Sequence, residues 1–320
     1  MMKKILFVVF LTALVCGFSF AQTVYIAGVD HITGSDNYDA VYWQNGRRTT
    51  LPKTGSSAYA YAIAVSGSNV YIAGSDDDDA VYWLNGRRTA LPKTGSMAYA
   101  NAIAVSGSNV YIVGKDGYDA VYWLNGRRTA LSRTGGSASA YAVTVSGSNV
   151  YIAGYDGVDA VYWLNGNRIV LPDTFDEGEA YSIKLSGADI IAAGIDIEYD
   201  EYYEGDDIYS AVYWHNGTLH YLPSESDYES YAEAMDVSGT NIYIAGSDGD
   251  DAVYWLNGKR TVLSKTGTDQ AGALAIAVSG SNVYIAGYDG DDAVYWLNGR
   301  QTALPRTGTY ARPWAIAIIQ

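Results

Sequence analysis

Residues 60–93 read AYAIAVSGSNVYIAGSDDDDAVYWLNGRRTALPK and contain four short runs of β-strand character separated by turn residues. The runs combine small, β-branched and aromatic side chains, which is typical of strands that pack on both faces. Asn85-Gly86, between the third and fourth runs, is the strongest two-residue signal for a β-hairpin. The stretch therefore predicts a four-stranded antiparallel sheet, with strands over 60–65, 69–73, 80–84 and 88–91.

The same pattern returns along the whole chain. The string Val-Tyr-Trp-x-Asn-Gly recurs at steps of 40, 40, 40, 51, 41 and 41 residues, with its tryptophan at Trp43, Trp83, Trp123, Trp163, Trp214, Trp255 and Trp296. Seven four-stranded units of this length predict an all-β, seven-bladed β-propeller. The chain enters in a second strand and finishes in a first strand, so we expect the C-terminal strand to complete blade 1. Blade 1 then spans 22–53 and 313–320.

The repeated tryptophans have a structural explanation in this architecture. Neighbouring blades pack face to face, and the space between them widens away from the axis of the ring. We expect the seven indoles to fill that space rather than to contact a ligand. A closed ring also needs no polar capping repeats, and the chain shows none.

The first 21 residues form a separate segment. Two lysines precede an apolar run over 5–15 that is too short to span a bilayer, and Ser19-Phe20-Ala21 offers small residues for a cleavage site. This pattern predicts a secretory signal peptide over 1–21, followed by a single propeller over 22–320. We expect an exported protein, either periplasmic, on the cell surface or extracellular. The one cysteine, Cys16, lies inside the signal, so thiol chemistry is not expected after cleavage.

The composition excludes several classes of function. The 320 residues are 48% hydrophobic and 17% charged, with 30 tyrosines and 8 tryptophans against 5 phenylalanines. Removal of the signal leaves 18 basic and 35 acidic side chains, a net charge of −17. That sign argues against binding to nucleic acid or anionic lipid. No apolar stretch approaches the roughly 20 residues of a transmembrane helix. We expect a soluble monomer.

The acidic residues are predicted to collect on one face of the disc. We call top face the side formed by the loops between strands two and three of each blade and the loops between blades. These loops hold 33 of the 35 acidic residues, whereas ten basic residues follow the Asn-Gly turns on the bottom face. The sorting predicts a strongly bipolar disc whose top attracts cations.

Blade 5 departs most from the repeat. Its loop between strands two and three is longer by eleven residues and reads DIEYDEYYEGDDIYS over 196–210. Long loops on a rigid scaffold often carry function. We therefore expect a partner or cation to bind this acidic, tyrosine-rich insert through Asp200, Glu201, Tyr202, Tyr203, Glu204, Asp206 and Asp207.

Five blades carry an Asp-x-x-Asp turn after the second strand. The pairs are Asp76 and Asp79, Asp116 and Asp119, Asp156 and Asp159, Asp248 and Asp251, and Asp289 and Asp292. Carboxylates and turn carbonyls could ligate Ca²⁺. The alternative, which we favour, is that the aspartates accept hydrogen bonds from the amides of their own turns. The spacing lacks the denser aspartates of a calcium loop, so no cofactor is required.

Two other classes of function stay open. Tyrosines near the top loops could stack on sugar rings, as in a lectin, or pack the loops between blades: Tyr59, Tyr99, Tyr141, Tyr181, Tyr228, Tyr231 and Tyr310. A hydrolase or lyase would need a blade whose inner residues differ, and only Lys184, Glu233 and Asp236 qualify. No distinguished catalytic set is evident. We favour a non-enzymatic module that binds a protein, glycan or cation.

The repeat differs from two familiar propeller families. Leu, Gln or His follows each tryptophan, so the Trp-Asp signature of WD40 repeats is missing. Asp79-Ala80-Val81-Tyr82-Trp83 does not match the Asp-box of sialidase propellers. The chain resembles exported bacterial propellers built of Val-Tyr-Trp-x-Asn-Gly repeats. The resemblance covers residues 22–320 and implies an architecture, but no reaction and no catalytic residues.

Overall fold

The computed structural model describes residues 22–172, 175–199, 207–227, 229–267 and 269–319, and these residues form strands, turns and loops only. The first strands are β1 (Thr23–His31), β2 (Tyr38–Gln44), β3 (Arg47–Thr50), β4 (Ala58–Ser66), β5 (Asn69–Asp76), β6 (Asp79–Leu84), β7 (Arg87–Ala90), β8 (Ala98–Ser106), β9 (Asn109–Asp116), β10 (Asp119–Leu124), β11 (Arg127–Ala130), β12 (Ala138–Ser146), β13 (Asn149–Asp156) and β14 (Asp159–Leu164). They are followed by β15 (Asn167–Val170), β16 (Glu177–Ser186), β17 (Asp189–Glu198), β18 (Ile208–His215), β19 (Thr218–Tyr221), β20 (Ser230–Ser238), β21 (Asn241–Asp248), β22 (Asp251–Leu256), β23 (Lys259–Val262), β24 (Ala271–Ser279), β25 (Asn282–Asp289), β26 (Asp292–Leu297), β27 (Arg300–Ala303) and β28 (Ala311–Ile319).

These strands form seven antiparallel sheets of four strands each, arranged as a closed ring. Six sheets use consecutive strands, and the seventh has the order β28-β1-β2-β3. The pairing of Thr23 with Ile319 and of Ile26 with Ile316 closes the ring. The predicted seven-bladed β-propeller is therefore confirmed. The closing strand begins at Ala311, two residues earlier than the predicted boundary.

The Asn-Gly turns adopt the conformation that the sequence predicts. Asn85 and Gly86 both have positive φ, 50° and 79°, and all seven repeats share this geometry. A type I′ turn requires positive φ at both central positions, which asparagine and glycine tolerate best. The turns set the register of each outer hairpin, in which Trp83 faces Arg88.

The seams, which are the interfaces between adjacent blades, are built around the tryptophans. All seven indoles have an exposed fraction of 0%. Trp83 packs with Leu51 of the preceding blade, and its Nε1 donates a hydrogen bond to the Pro52 carbonyl oxygen at 2.8 Å. The other six indoles donate to the equivalent carbonyl of the preceding blade. Each tryptophan thus joins two blades by apolar contact and by one hydrogen bond.

Every inner strand, the one nearest the axis, contains a β-bulge. In β4, Ala60 pairs with Gly74 and Ala62 with Ala73, so Tyr61 has no partner across the ladder. A Cβ atom on Gly74 would lie 1.8 Å from the Tyr59 carbonyl oxygen, which explains why glycine occupies that position. The same glycine faces the bulge in all seven blades. A bulge redirects its extra side chain, and here it does so at the axis of the ring.

Candidate functional site

The first aspartate of each Asp-x-x-Asp turn is a buried structural group. Asp76 accepts hydrogen bonds from the amides of Thr54 and Gly55, at 2.7 and 2.9 Å, and from Nε of Arg88 at 2.5 Å. Thr54 and Gly55 belong to the loop that leads in from the preceding blade. The amide donors are therefore not those of the aspartate's own turn, as we had expected, but those of the neighbouring loop. The Asp76 carboxylate therefore links the loop from the preceding blade to the outer strand of its own blade.

This arrangement, which we call the latch, recurs around the ring. Asp30, Asp116, Asp156 and Asp248 bind the neighbouring loop and pair with Arg48, Arg128, Arg168 and Arg260 respectively. Gln301 replaces the arginine at Asp289, and Tyr221 donates to Asp196. Burial alone would raise the pKa of Asp76, but the hydrogen bonds from Thr54 and Gly55 and the charge of Arg88 lower it. The Asp76 carboxylate is thus ionised, and its contacts stabilise the fold.

The second aspartates also have partners. Asp79, Asp251 and Asp292 pair with Lys93, Lys265 and Arg306, while Asp119 and Asp159 pair with Arg133 and Arg168. A calcium ion would have to displace these cations. Among the residues that the structure describes, no group of three or more His, Cys, Asp or Glu side chains could hold a metal ion.

The latches change the predicted charge distribution. Five of the ten arginines and lysines assigned to the bottom face send their guanidinium groups to buried carboxylates at the top end of β-strands, where they are 12–17% exposed. The difference in charge between the two faces of the disc is therefore smaller than the positions of the residues in the sequence suggest. The long arginine side chain separates the charge from the Cα position, which sequence counting does not capture.

The blade 5 insert lies mostly outside the described residues. Asp200, Glu201, Tyr202, Tyr203, Glu204 and Asp206 fall there, whereas Asp207 is described and half-buried just before β18. At the base of the insert, Tyr209 forms a bridge to Glu229 and stacks on Tyr231, with ring centroids 5.6 Å apart. Tyr231 lies two residues before the bulge of β20. The insert is thereby attached beside the axis of the ring.

The axis of the ring contains a cavity of about 600 Å³, which we call the axial cavity. All seven bulge residues line it: Tyr61, Asn101, Tyr141, Tyr181, Glu233, Leu274 and Trp314. The flanking positions are nearly uniform, with alanine before the bulge in six blades and after it in six. The bulge residues instead comprise five different residue types. The axial cavity is therefore the part of the scaffold where blades differ most systematically.

One side of the axial cavity carries two carboxyl groups. Tyr141 and Tyr181 donate hydrogen bonds to Glu179, yet burial outweighs them and raises the pKa of Glu179, with a further contribution from the charge of Glu177. Burial, and secondarily the charge of Glu179, raise the pKa of Glu233 to about 7. Among the described residues, no hydrogen bond reaches the Glu233 carboxyl group. The count of acidic loop residues placed Glu179 and Glu233 on the top face, although Glu233 was also named as a differing inner residue of blade 6. Both lie in inner strands at the axis.

An ion pair lies further along the same two inner strands. Lys184 Nζ is 3.5 Å from Asp236 Oδ1, and Asp236 also accepts a hydrogen bond from the Val278 amide. The other five blades have alanine or threonine at this register position. Lys184 is thus balanced by Asp236 rather than by Glu233. The inner strands of blades 5 and 6 carry five of the six charged residues found on the seven inner strands, and Arg312 of blade 1 is the sixth.

The opposite side of the axial cavity is aromatic. Tyr61 and Trp314 have ring centroids 5.2 Å apart, and Tyr59 packs against both at 5.9 and 6.1 Å. Tyr38 extends the contact from Tyr59 towards the top face. Near the mouth, the Arg312 guanidinium lies 4.1 Å from the centroid of Tyr288. The aromatic side chains and the acidic groups therefore line opposite sides of the axial cavity.

The sequence contained a signal for the axial cavity, but aligning the repeats on their tryptophans did not reveal it. Tyr61, Trp314, Tyr141 and Tyr181 occupy one register position. Tyr141 and Tyr181 had been considered for sugar stacking or loop packing, and Tyr61 and Trp314 had been given no role. Of the other tyrosines considered for sugar stacking, Tyr231 packs beneath the insert, and Tyr228 lies outside the described residues. Aligning the inner strands on the bulge, marked by the glycine of the neighbouring strand, would have revealed the variable position.

Comparisons with known proteins add little to this description. No protein-family model and no curated protein matches the chain. Among solved structures, the crystal structure of the computationally designed Ika8 protein is similar, with 16% identity over 78% of this chain and 74% of that chain and a TM-score of 0.47. We draw no argument from so distant a likeness. Within the described residues, no helix is long and apolar enough to cross a membrane.

Proposed function

We propose that the protein is an exported, non-enzymatic binding module whose ligand enters the axial cavity from the top face. The observation that carries this proposal is the variation at the seven bulge positions within an otherwise repeated inner strand. Pockets at the centre of a rigid scaffold, lined by apolar surface and a few polar groups, commonly bind ligands. The base of the blade 5 insert, at Tyr209, stacks on Tyr231 two residues before the bulge of β20, and the insert contributes to recognition of the partner in this proposal.

A purely structural role for the cavity residues is less consistent with their energetics. The latches and seam tryptophans hold neighbouring blades together without help from the bulge side chains. Glu233 is half-buried and has no hydrogen-bonding partner among the described residues, which costs stability. Residues that reduce stability are typically retained for function.

A thermal-shift screen with a library of sugars, amines, amino acids and peptides tests the proposal, because a ligand of the folded state must raise Tm. We expect hits whose shift disappears in Trp314→Ala and in Glu233→Gln. Tyr118→Ala is the matched control, since this tyrosine is 72% exposed on the top face away from the cavity. Hits that persist in both cavity variants would show that the ligand binds elsewhere.

The contribution of the insert is tested by deletion of residues 197–208. We expect weaker capture of a macromolecular partner by the deletion variant, with the cavity-dependent shifts for small ligands retained. Binding that is unchanged for every ligand and partner would remove the insert from the proposal. A parallel melt with EDTA and with millimolar Ca²⁺ tests the metal hypothesis. If the aspartates of the Asp-x-x-Asp turns only pair with basic side chains, Ca²⁺ should not change Tm. A calcium site would give a rise in Tm that EDTA reverses.

Export is tested by the mass of the protein recovered from the producing cells. Cleavage after Ala21 leaves a chain that starts at Gln22 and contains no cysteine. A product that retains residues 1–21 inside the cytoplasm would contradict export without affecting the cavity proposal.

A hydrolase is the second candidate. Glu233, whose pKa is raised to about 7, lies near a second carboxyl group, Glu179, in the same cavity. A carboxylic acid that keeps its proton near neutral pH can act as a general acid. Turnover of chromogenic glycosides or esters that is abolished by Glu233→Gln would favour this reading over binding alone.

A further inference from the structure

The charged and aromatic groups of the axial cavity are arranged for a particular class of ligand. Resting on the proposed binding function, we infer that the axial cavity binds an organic cation, either a protonated amine or a quaternary ammonium ion. Glu233 and Glu179 would neutralise its charge, and Trp314 and Tyr61 would contact its apolar part.

The first argument is the charge around Glu233. The ionisable groups that face it are Glu179 and Tyr181 on β16, Tyr231 on its own strand β20, and Tyr288 on β25. None of these groups is a cation. Lys184 is held by Asp236, and Arg312 is stacked on Tyr288 with Asp291 nearby. Lys115 of β9 acts on Glu179 and lowers its pKa, but its ammonium group donates a hydrogen bond to Tyr155 at 3.2 Å, and no cationic side chain acts on Glu233. A bound cation would supply the counter-charge that Glu233 lacks.

The second argument is the aromatic wall across the ring. Trp314 and Tyr61 present adjacent rings, with centroids 5.2 Å apart, at the height of the bulge. Indole and phenol faces attract ammonium groups and accommodate their methyl or methylene groups at the same time. Arg312 on Tyr288 already shows a cation on an aromatic face at the cavity mouth.

The third argument is size. A cavity of about 600 Å³ has room for a small organic molecule, and it is larger than a metal ion requires. The carboxyl groups also do not form a group that could hold a metal ion among the described residues. A neutral sugar could stack on Trp314, but it would leave the repulsion between Glu179 and Glu233 unrelieved.

The test uses isothermal titration of the purified protein with choline and with 3,3-dimethylbutan-1-ol, a neutral molecule of nearly the same shape. Cadaverine and methyl β-glucoside complete the set. We expect choline or cadaverine to bind at least tenfold more tightly than the neutral alcohol. Glu233→Gln should weaken cation binding at least tenfold. Asp227→Asn, which changes an exposed carboxylate on the top face, should leave the affinity for the cation unchanged.

The pH dependence provides a second readout that a structural role would not produce. Because a cation binds the ionised carboxylate, its affinity should rise several-fold between pH 6 and pH 8, with release of protons. The rise should disappear in Glu233→Gln, and Trp314→Ala should weaken binding at both pH values. Titration in buffers of different ionisation enthalpy measures the released protons directly.

Three results would overturn the inference. Equal affinity for choline and its neutral analogue would remove the role of charge. Binding of the glucoside without either cation would identify a carbohydrate site and leave the binding-module proposal intact. If Glu233→Gln and Trp314→Ala still bound both the cations and the library hits, the axial cavity would not be the site, and the proposed function would fail with it.

Discussion

The seams and the axial wall are built from the same repeat but follow opposite rules. At the seams, the tryptophan is fully buried and bonded in all seven blades, and an aspartate binds the neighbouring loop in at least six. At the axis, one register position contains tyrosine, asparagine, glutamate, leucine or tryptophan. The seams must be alike because each blade has to fit the next. The axis is free to differ, which is why we propose that recognition takes place there.

The largest expected difference between the two regions is in the response to losing an indole. Trp83→Ala should lower the free energy of unfolding by about 3–5 kcal/mol, because it leaves a cavity in a closed seam and an unpaired Pro52 carbonyl. Trp314→Ala opens onto an existing cavity and should cost under about 2 kcal/mol. Guanidinium unfolding of both variants measures the contrast. Equal losses would mean that the axial wall is as structural as the seam.

Loss of a latch is expected to have the next largest effect. Asp116→Ala leaves the amides of Thr94 and Gly95 without their acceptor and Arg128 with only its longer contact to Asp119, and should cost about 3 kcal/mol at pH 7. Burial raises the pKa of Asp116, but the hydrogen bonds and Arg128 lower it below its ordinary 3.8, so the latch stabilises above that pH and is lost as the pH falls through the folded-state value.

Unfolding experiments from pH 7 down to pH 2 check this latch prediction. The difference between Asp116→Ala and the wild type should shrink in acid. Asp78→Ala is the control, because this aspartate is exposed and makes its hydrogen bonds through its backbone carbonyl. A latch variant as stable as the control would contradict the role assigned to the buried carboxylate.

The acid groups of the axis should show the opposite pH dependence. The raised pKa of Glu233, about 7, means that the folded protein keeps a proton that the unfolded chain releases near pH 4.5. Stability is therefore lost as the pH rises between these values. Glu233→Gln should be neutral at pH 4 and stabilising by on the order of 2 kcal/mol at pH 8. Thermal melts at the two pH values measure this, and a variant that is destabilised at pH 8 would refute it.

The smallest expected effect comes from the one latch in which glutamine replaces arginine. Gln301 donates to Asp289, but its Oε1 is buried without a hydrogen-bonding partner among the described residues. Gln301→Arg should restore the ion pair of the other blades and raise the free energy of unfolding by about 1 kcal/mol. Thr302→Arg adds the same charge at an exposed neighbouring position and should have no effect. A stabilisation shared by both variants would indicate a general charge effect.

The sequence predicted the seams better than the axis, for physical reasons. The Asn85-Gly86 turn, the strand lengths and the closure by the C-terminal strand depend on local backbone preferences and on periodicity. The direction of the Arg88 side chain does not depend on these local preferences, because a long, flexible side chain can place its charge far from its Cα atom. The blade 5 insert was assigned to the top face, and its base is found beside Tyr231.

The bulge escaped prediction because it depends on a contact between strands. Tyr61 turns towards the axis only because Gly74 lets the Tyr59 carbonyl approach its Cα atom. Read along β4 alone, Tyr61 appears as one more residue of an alternating strand. Glu233 was recognised as unusual in the sequence, but its position on the cavity wall, with a pKa near 7, follows from the fold.

The pairing of β1 with β28 has a consequence for how the ring forms. Neighbouring blades contact through residues close in sequence, whereas closure joins Thr23 to Ile319. Contacts of such separation form late, because the entropy of closing the loop must be overcome first. Until the nine-residue β28 pairs with it, β1 has an unpaired inner edge. A chain that lacks β28 therefore cannot close the ring.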